Sequence, residues 1–175
     1  MKKGIFLSVF MFAGLALCIS GHAENAEKSD AAKYTEVMQM TRDAAAFLSE
    51  KGRDGLAEIN DPKGKWVRGD LYVFAYGLKD TERGMIIAHP RQGLVGKNFL
   101  RVRDKNGKIF AAEFLRIAES ESGQGWSEYW WPRLDGAEPE PKLSYIVNVP
   151  GKDMLVGVGI HGGHTLEEAM KILAQ

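Results

Sequence analysis

Two rhythms of apolar positions run along the chain. Tyr34, Val37, Met38, Thr41, Ala45 and Leu48 follow the i, i+3, i+4, i+7 spacing of a helical face, and Met40, Ala44 and Phe47 widen the stripe. Gly52 stops this helix, with Lys51 and Arg53 near its negative end. From Asp70 the period becomes strand-like. Leu71 to Tyr76 and Gly84 to Ala88 read as a hairpin across the polar turn Lys79 to Gly84, closed by His89-Pro90. Phe110, Phe114, Ile117 and Ala118 return to helical spacing, ended by Gly123. A strand is expected from Trp126 to Trp131, then a polar, Pro-rich connection from Arg133 to Pro141. Strands at Leu143 to Val149 and Met154 to Ile160 flank the turn pair Pro150-Gly151. A last helix opens with Thr165 and Glu168 in capping-box spacing and carries Leu166, Met170 and Leu173 on one face.

Strands joined mostly by short turns, with helices on one side, define an α+β fold with an antiparallel sheet. Leu56 to Ile59 reads as a short helix or turn, Trp66 as a core plug, and Glu24 to Asp30 as a frayed polar segment. The stripe on the long helix is broad enough to cover a sheet and still leave residues for a partner. Either all of it is core, or the helix pairs in a homodimer.

The first 23 residues stand apart. Lys2 and Lys3 precede an apolar run from Ile5 to Ile19, and Ser20, Gly21, His22 and Ala23 supply a small-residue cleavage site. This is the layout of a cleaved secretory signal peptide, with a retained membrane anchor as the alternative. The full chain balances 23 Lys plus Arg against 23 Asp plus Glu. Such a balance disfavours general nucleic-acid binding, which needs a basic surface. Cys18 is the only cysteine and would leave with the signal, so no disulfide or thiolate metal site is expected. An apolar content of 45% is enough to fill a core.

Catalytic signatures are scarce. The sequence has no G-x-S-x-G, no H-E-x-x-H and no phosphate-binding G-x-x-x-x-G-K-[ST]. Gly157 and Gly159 form a G-x-G without the third glycine or a crossover helix. His89, His161 and His164 lack a local metal-ligand motif. No enzyme activity, metal or cofactor is expected. Aromatic residues instead concentrate on strands. In Trp126-Ser-Glu-Tyr-Trp-Trp-Pro132, Trp126 and Trp130 share one face while Tyr129 and Trp131 share the other. On the next strand Lys142, Ser144 and Ile146 oppose Leu143, Tyr145 and Val147. One aromatic set can pack against helices. The other is either cross-strand packing or the wall of a small pocket.

The stretch from Tyr72 to Ile160 resembles the single Cache domain, type 2, an extracytoplasmic sensor module with a PAS-like fold. The resemblance rests on Leu71-Tyr-Val-Phe-Ala-Tyr76, Ala88-His-Pro90 with Leu94-Val-Gly-Lys-Asn98, Asp104-Lys-Asn-Gly-Lys108 and Gly125-Trp-Ser-Glu-Tyr-Trp-Trp-Pro132. It continues through Pro141-Lys-Leu-Ser-Tyr145, Val149-Pro-Gly151 and Val156-Gly-Val-Gly-Ile160, all in family order. It implies a PAS-like antiparallel sheet with a long N-terminal and a short C-terminal helix. It divides the chain into a signal peptide (1–23), an N-terminal helix (24–52), a sensor domain (53–161) and a C-terminal helix (162–175). It also implies a periplasmic binder of small molecules, above all short organic acids, with a membrane receptor or kinase as partner. The sequence shows neither a second membrane span nor an output module, so signalling through the same chain is not expected. The alternative is a Cache-fold interaction module without a ligand. On the binding reading Lys142 is the anchor for an organic acid, Tyr72, Phe74, Trp126, Tyr129, Trp131 and Tyr145 supply walls and hydroxyls, and His89 closes one side as a donor.

Overall fold

The computed structural model describes residues 15–174 apart from Ala137, with side chains from residue 26 onward. The first 14 positions of the expected signal peptide therefore lie outside the described residues. Helix α1 runs over Leu15–Lys51. It passes unbroken through residues 24–30, so the expected fraying is not found there. Tyr34, Val37, Met40, Thr41, Ala44, Ala45 and Leu48 are all buried. Thr41 satisfies its hydroxyl by donating back to the Val37 carbonyl at 2.7 Å. Glu36, Gln39, Asp43 and Glu50 face solvent. The stripe is thus used within one chain, which removes the motive for pairing two such helices. Gly52, at φ +60°, takes the left-handed turn that ends α1.

A one-turn helix α2 (Leu56–Ile59) leads to strand β1 (Val67–Arg68). Strands β2 (Leu71–Gly77), β3 (Ile86–Ala88), β4 (Gln124–Pro132), β5 (Pro139–Asn148) and β6 (Met154–His161) complete a six-stranded sheet. Every pairing is antiparallel in the order β1-β2-β6-β5-β4, with β3 also on β2. The β5–β6 hairpin turns at Gly151, whose φ of +70° a side chain would resist.

Strand β5 starts earlier than the proline content suggests. Pro139 and Pro141 pair with Pro132 and Trp130 of β4, while pairing with β6 begins only at Lys142. Residues 139–141 are therefore paired on one side only, where a missing N–H is tolerated. The outer edge of β4 is closed from the loop before α3 (Phe110–Ala118). The Asp104 carboxylate accepts the Trp130 N–H at 3.0 Å, and the Lys108 ammonium donates to the Glu128 carbonyl. Asp104 holds its own loop as well, accepting from the N–H groups of Asn106 and Lys108 at 2.9 Å each.

Strand alternation gives the sheet two apolar faces, so helices cover both sides and not the expected one. Val73, Ala75, Trp126, Leu143, Tyr145, Val156, Val158 and Ile160 pack under α1. Tyr72, Phe74, Tyr76, Tyr129, Ile146 and Leu155 pack under α3. Each fully buried Val, Leu or Ile contributes about 1.5–3 kcal/mol. Helix α4 (Leu166–Leu173) carries the expected capping box between Thr165 and Glu168. It seats Ala169, not the expected Leu166-Met170-Leu173 face, against the core. Those three side chains are exposed because the helix rests on α1 through its small residue.

Candidate functional site

The face under α3 concentrates chemistry as well as apolar bulk. Because β4 pairs Tyr129 with Lys142 and Ser127 with Ser144, and β5 pairs Lys142 with His161, these side chains share one side of the sheet. Phe110 and Phe114 of α3 close over them, with Phe110 stacked on Tyr129 at 4.9 Å between ring centroids. Phe74, Tyr76, His89, Phe110, Phe114, Tyr129 and Trp131 line a cavity of ≈ 10 Å³, room for about one water.

Lys142 lies beside this cavity and is fully buried. Its ammonium position is 3.8 Å from the centroid of Tyr72 and 5.6 Å from that of Phe74. No hydrogen-bond acceptor reaches the Nζ among the described residues. Burial, with the Arg91 guanidinium adding repulsion, pushes the amine well below the usual lysine range. A buried polar group without a partner costs roughly 1–3 kcal/mol, so this amine is a standing cost to the fold.

The space for the Lys142 stem comes from glycine. A methyl at Gly159 would fall on the Ser144 hydroxyl and 2.6 Å from Lys142 Cε. One at Gly157 would strike the Phe74 ring. The G-x-G that does not complete a phosphate motif is a floor in mid-β6 over which neighbouring side chains lie. Ser144 exchanges a 3.0 Å hydrogen bond with the Tyr129 hydroxyl, so both hydroxyls are engaged.

His89 closes the cavity from the end of β3. Its backbone N–H donates to Asn60 Oδ1 at 2.9 Å, and its Nδ1 accepts the Arg91 N–H at 2.8 Å. The second bond assigns the ring proton to Nε2, making His89 a donor on its free side. Burial above all, with the Arg91 guanidinium beside it, lowers its pKa to about 3, so the ring is neutral at physiological pH. The Arg91 guanidinium donates to the carbonyls of Arg133, Leu134 and Gly136 at 2.5, 2.9 and 3.1 Å, which straps the His89 segment to the end of β4.

Tyr72, Phe74, His89, Tyr129, Trp131 and Lys142 are thus brought together. Trp126 and Tyr145 are not. They sit opposite each other on β4 and β5 but on the α1 face, because their positions have the other strand parity. Tyr145 donates to Gln124 Oε1 at 2.8 Å and accepts from Arg42 at 3.2 Å, and Trp126 packs on Tyr34 at 5.8 Å. Both are packing residues. Tyr76, Phe110, Phe114 and Ser144 join the site without having been singled out for it. The shared parity of Ser144 with Lys142 was the available signal. The two phenylalanines carry none, since a lid helix looks like any amphipathic helix. His164, a candidate ligand by type, instead meets the Tyr34 hydroxyl at 3.1 Å.

The antiparallel sheet carries helices on both faces and encloses a polar group beside α3. The chain belongs to the Cache domain family, whose model matches residues 58–174. It is 32% identical over 93 residues to the sensor histidine kinase MctS of Rhizobium johnstonii, a match covering 53% of this chain and 19% of the kinase. The chain therefore spans about a fifth of that relative. Among solved structures it resembles a methyl-accepting chemotaxis protein from Vibrio parahaemolyticus, with a TM-score of 0.60, 23% identity, and coverage of 79% of this chain and 95% of that one. It also resembles a Cache chemosensory domain studied for carboxylic acid recognition, with a TM-score of 0.55, 20% identity and coverage of 87% and 99%. A periplasmic sensor domain of a chemotaxis protein matches with a TM-score of 0.54, 20% identity and coverage of 81% and 96%. These structures share the fold. Among the described residues no helix is long and apolar enough to cross a membrane.

Proposed function

We propose that this chain is a periplasmic binding and sensing domain for short carboxylates, acting with a membrane kinase or chemoreceptor. The observation that carries the reading is the Lys142 amine, fully buried in an aromatic box and without an acceptor. An entering carboxylate would supply the missing acceptor, and charge-assisted hydrogen bonds are the strong ones. The His89 Nε2–H is a second donor, and Phe74, Phe110 and Trp131 would hold the short apolar body. The domain that senses is residues 53–161, with 24–52 and 162–175 as flanking helices, and the leader over 1–23 directs export.

Admission requires a wall to move, since the cavity of ≈ 10 Å³ is smaller than acetate. Trp131 is the half-buried member of the lining and so the wall freest to swing. The closed cavity is also what favours the second reading, an interaction module with no ligand. A thermal-shift screen of short carboxylates separates the two. A ligand at 100 times its Kd stabilises the fold by about 2.7 kcal/mol. Lys142→Met should abolish the shift. An unshifted melting curve across acetate, propionate, lactate and pyruvate, each to 10 mM, favours the interaction module.

A further inference from the structure

Lys142 is surrounded by groups that cannot balance a positive charge. Tyr72 faces it from β2, its ring centroid 3.8 Å from the Lys142 nitrogen, and Tyr129 stands opposite it on β4. Ser144 neighbours it on β5, and His161 faces it from β6. From the segment after β3 come His89 and the Arg91 guanidinium. Helix α3 presents the apolar Phe110 and Phe114, and its Glu113 carboxylate accepts from the Ser127 hydroxyl at 2.7 Å and pairs with Lys108. Another carboxylate, Glu140 on β5, is paired with the Arg133 guanidinium, 2.5 Å from its Nε. The burial that depresses the amine also holds His161 at a pKa of about 3. Among the described residues the enclosure therefore holds the Arg91 cation, neutral hydroxyls and imidazoles, and no unpaired acid to keep an ammonium charged when the site is empty.

We propose that this site takes up an anion together with a proton, so that monocarboxylates enter with no net charge and dianions are rejected. The proposal rests on the reading of the site as a carboxylate site. The balance is simple. The empty site holds Lys142 as R–NH₂, and the monoanion and one H⁺ from solvent enter to give R–NH₃⁺ against R′–COO⁻. The sum of charge crossing into the enclosure is zero, which is the condition for burying an ion pair without a large desolvation penalty. A dianion would leave one negative charge unpaired among aromatic walls. Affinity is then linked to pH in a defined direction. Above the amine's own pKa in the empty protein, each unit of pH lowers the affinity tenfold, because one proton must be found for each ligand bound.

The test has two independent readouts on the whole chain. In the first, the protein carries ¹³C,¹⁵N-lysine, and the Lys142 ¹³Cε and ¹⁵Nζ shifts are read without ligand at pH 7.5, assigned by their absence in Lys142→Met. A neutral amine is expected, and an ammonium overturns the proposal whatever binds. In the second, acetate, propionate and malonate are titrated calorimetrically at pH 7.5 in buffers of different ionisation enthalpy. The expected result is uptake of about one proton per monocarboxylate, affinity about tenfold weaker at pH 8.5, and malonate weaker than propionate by at least about a hundredfold. Binding without proton exchange, or tight malonate binding, overturns the proposal. If the amine is neutral yet neither monocarboxylate binds, the carboxylate reading itself falls, and the proposal with it. The amine's charge separates that outcome from a failure of proton coupling alone.

Discussion

Substituting Gly159 by alanine tests whether the floor of β6 is needed for the site. The added methyl would fall on the Ser144 hydroxyl, 2.6 Å from Lys142 Cε and 3.0 Å from the Leu143 carbonyl oxygen. Overpacking of this kind costs about 1–3 kcal/mol. Turning Ser144 away also breaks its 3.0 Å bond to Tyr129, a further loss of about 0.5–1.5 kcal/mol. Against this, a Gly→Ala change lowers the entropy of the unfolded chain and returns about 0.4–1 kcal/mol. The opposing effects leave a net loss of roughly 1–3 kcal/mol, or about 2–12 °C in Tm for a domain of this size. Urea unfolding followed by tryptophan fluorescence measures it, and the double variant Gly159→Ala with Ser144→Ala should recover part of the loss by removing the struck oxygen. The sign decides. A Gly159→Ala protein more stable than the parent would mean that the entropy gain stands alone, and that the Lys142 stem does not lie where it is described.

Lys142→Met should stabilise the protein at neutral pH, because it removes a buried amine that burdens the fold by roughly 1–3 kcal/mol even when neutral. A lysine with a depressed folded pKa binds fewer protons folded than unfolded, so parental stability rises with pH up to about 10.4. The advantage of Lys142→Met should therefore shrink by about 1.4 kcal/mol per pH unit between pH 8 and 10, and a pH-independent gap in denaturant titrations would contradict it. His89 has its folded pKa lowered to about 3, so its contribution is complete above pH 6.5 and is lost as pH falls from there towards 3, by about 1.4 kcal/mol per unit. His89→Gln should flatten that acid slope in melting curves from pH 7 to 4. Thr165→Ala removes the capping bond to the Glu168 N–H, and should cost about 1 kcal/mol and be seen as faster amide exchange in α4.

Much of this fold is written in local patterns. The stripe from Tyr34 to Leu48, the β2–β3 hairpin closed by His89-Pro90, and the β5–β6 turn at Pro150-Gly151 are short-range signals, and each element forms close to its expected bounds. The start of β5 was hidden because proline argues against strand until one knows that a neighbour is missing there. That absence is a tertiary fact. The same holds for α4, where the longer apolar side chains suggested the buried face and the small Ala169 occupies it. At the site, alternation grouped Tyr129 with Trp131 and Lys142 with Ser144. Which group faced α3 depended on strand register, and Trp126 and Tyr145 fell to the other side. The strap from Arg91 to three carbonyls had no local signature, since its partners are more than 40 residues away.

The Asp104 and Lys108 contacts along β4 have a consequence for assembly. An unpaired strand edge is an open template on which another chain can continue the ladder. Here the outward N–H of Trp130 and the outward carbonyl of Glu128 are occupied by side chains of the same molecule. At that end the sheet cannot be lengthened by a foreign strand or by a second copy without first evicting a carboxylate and an ammonium. A partner that meets the domain along this stretch of β4 must therefore be selected by side-chain chemistry, not by backbone pairing, which any extended peptide could imitate.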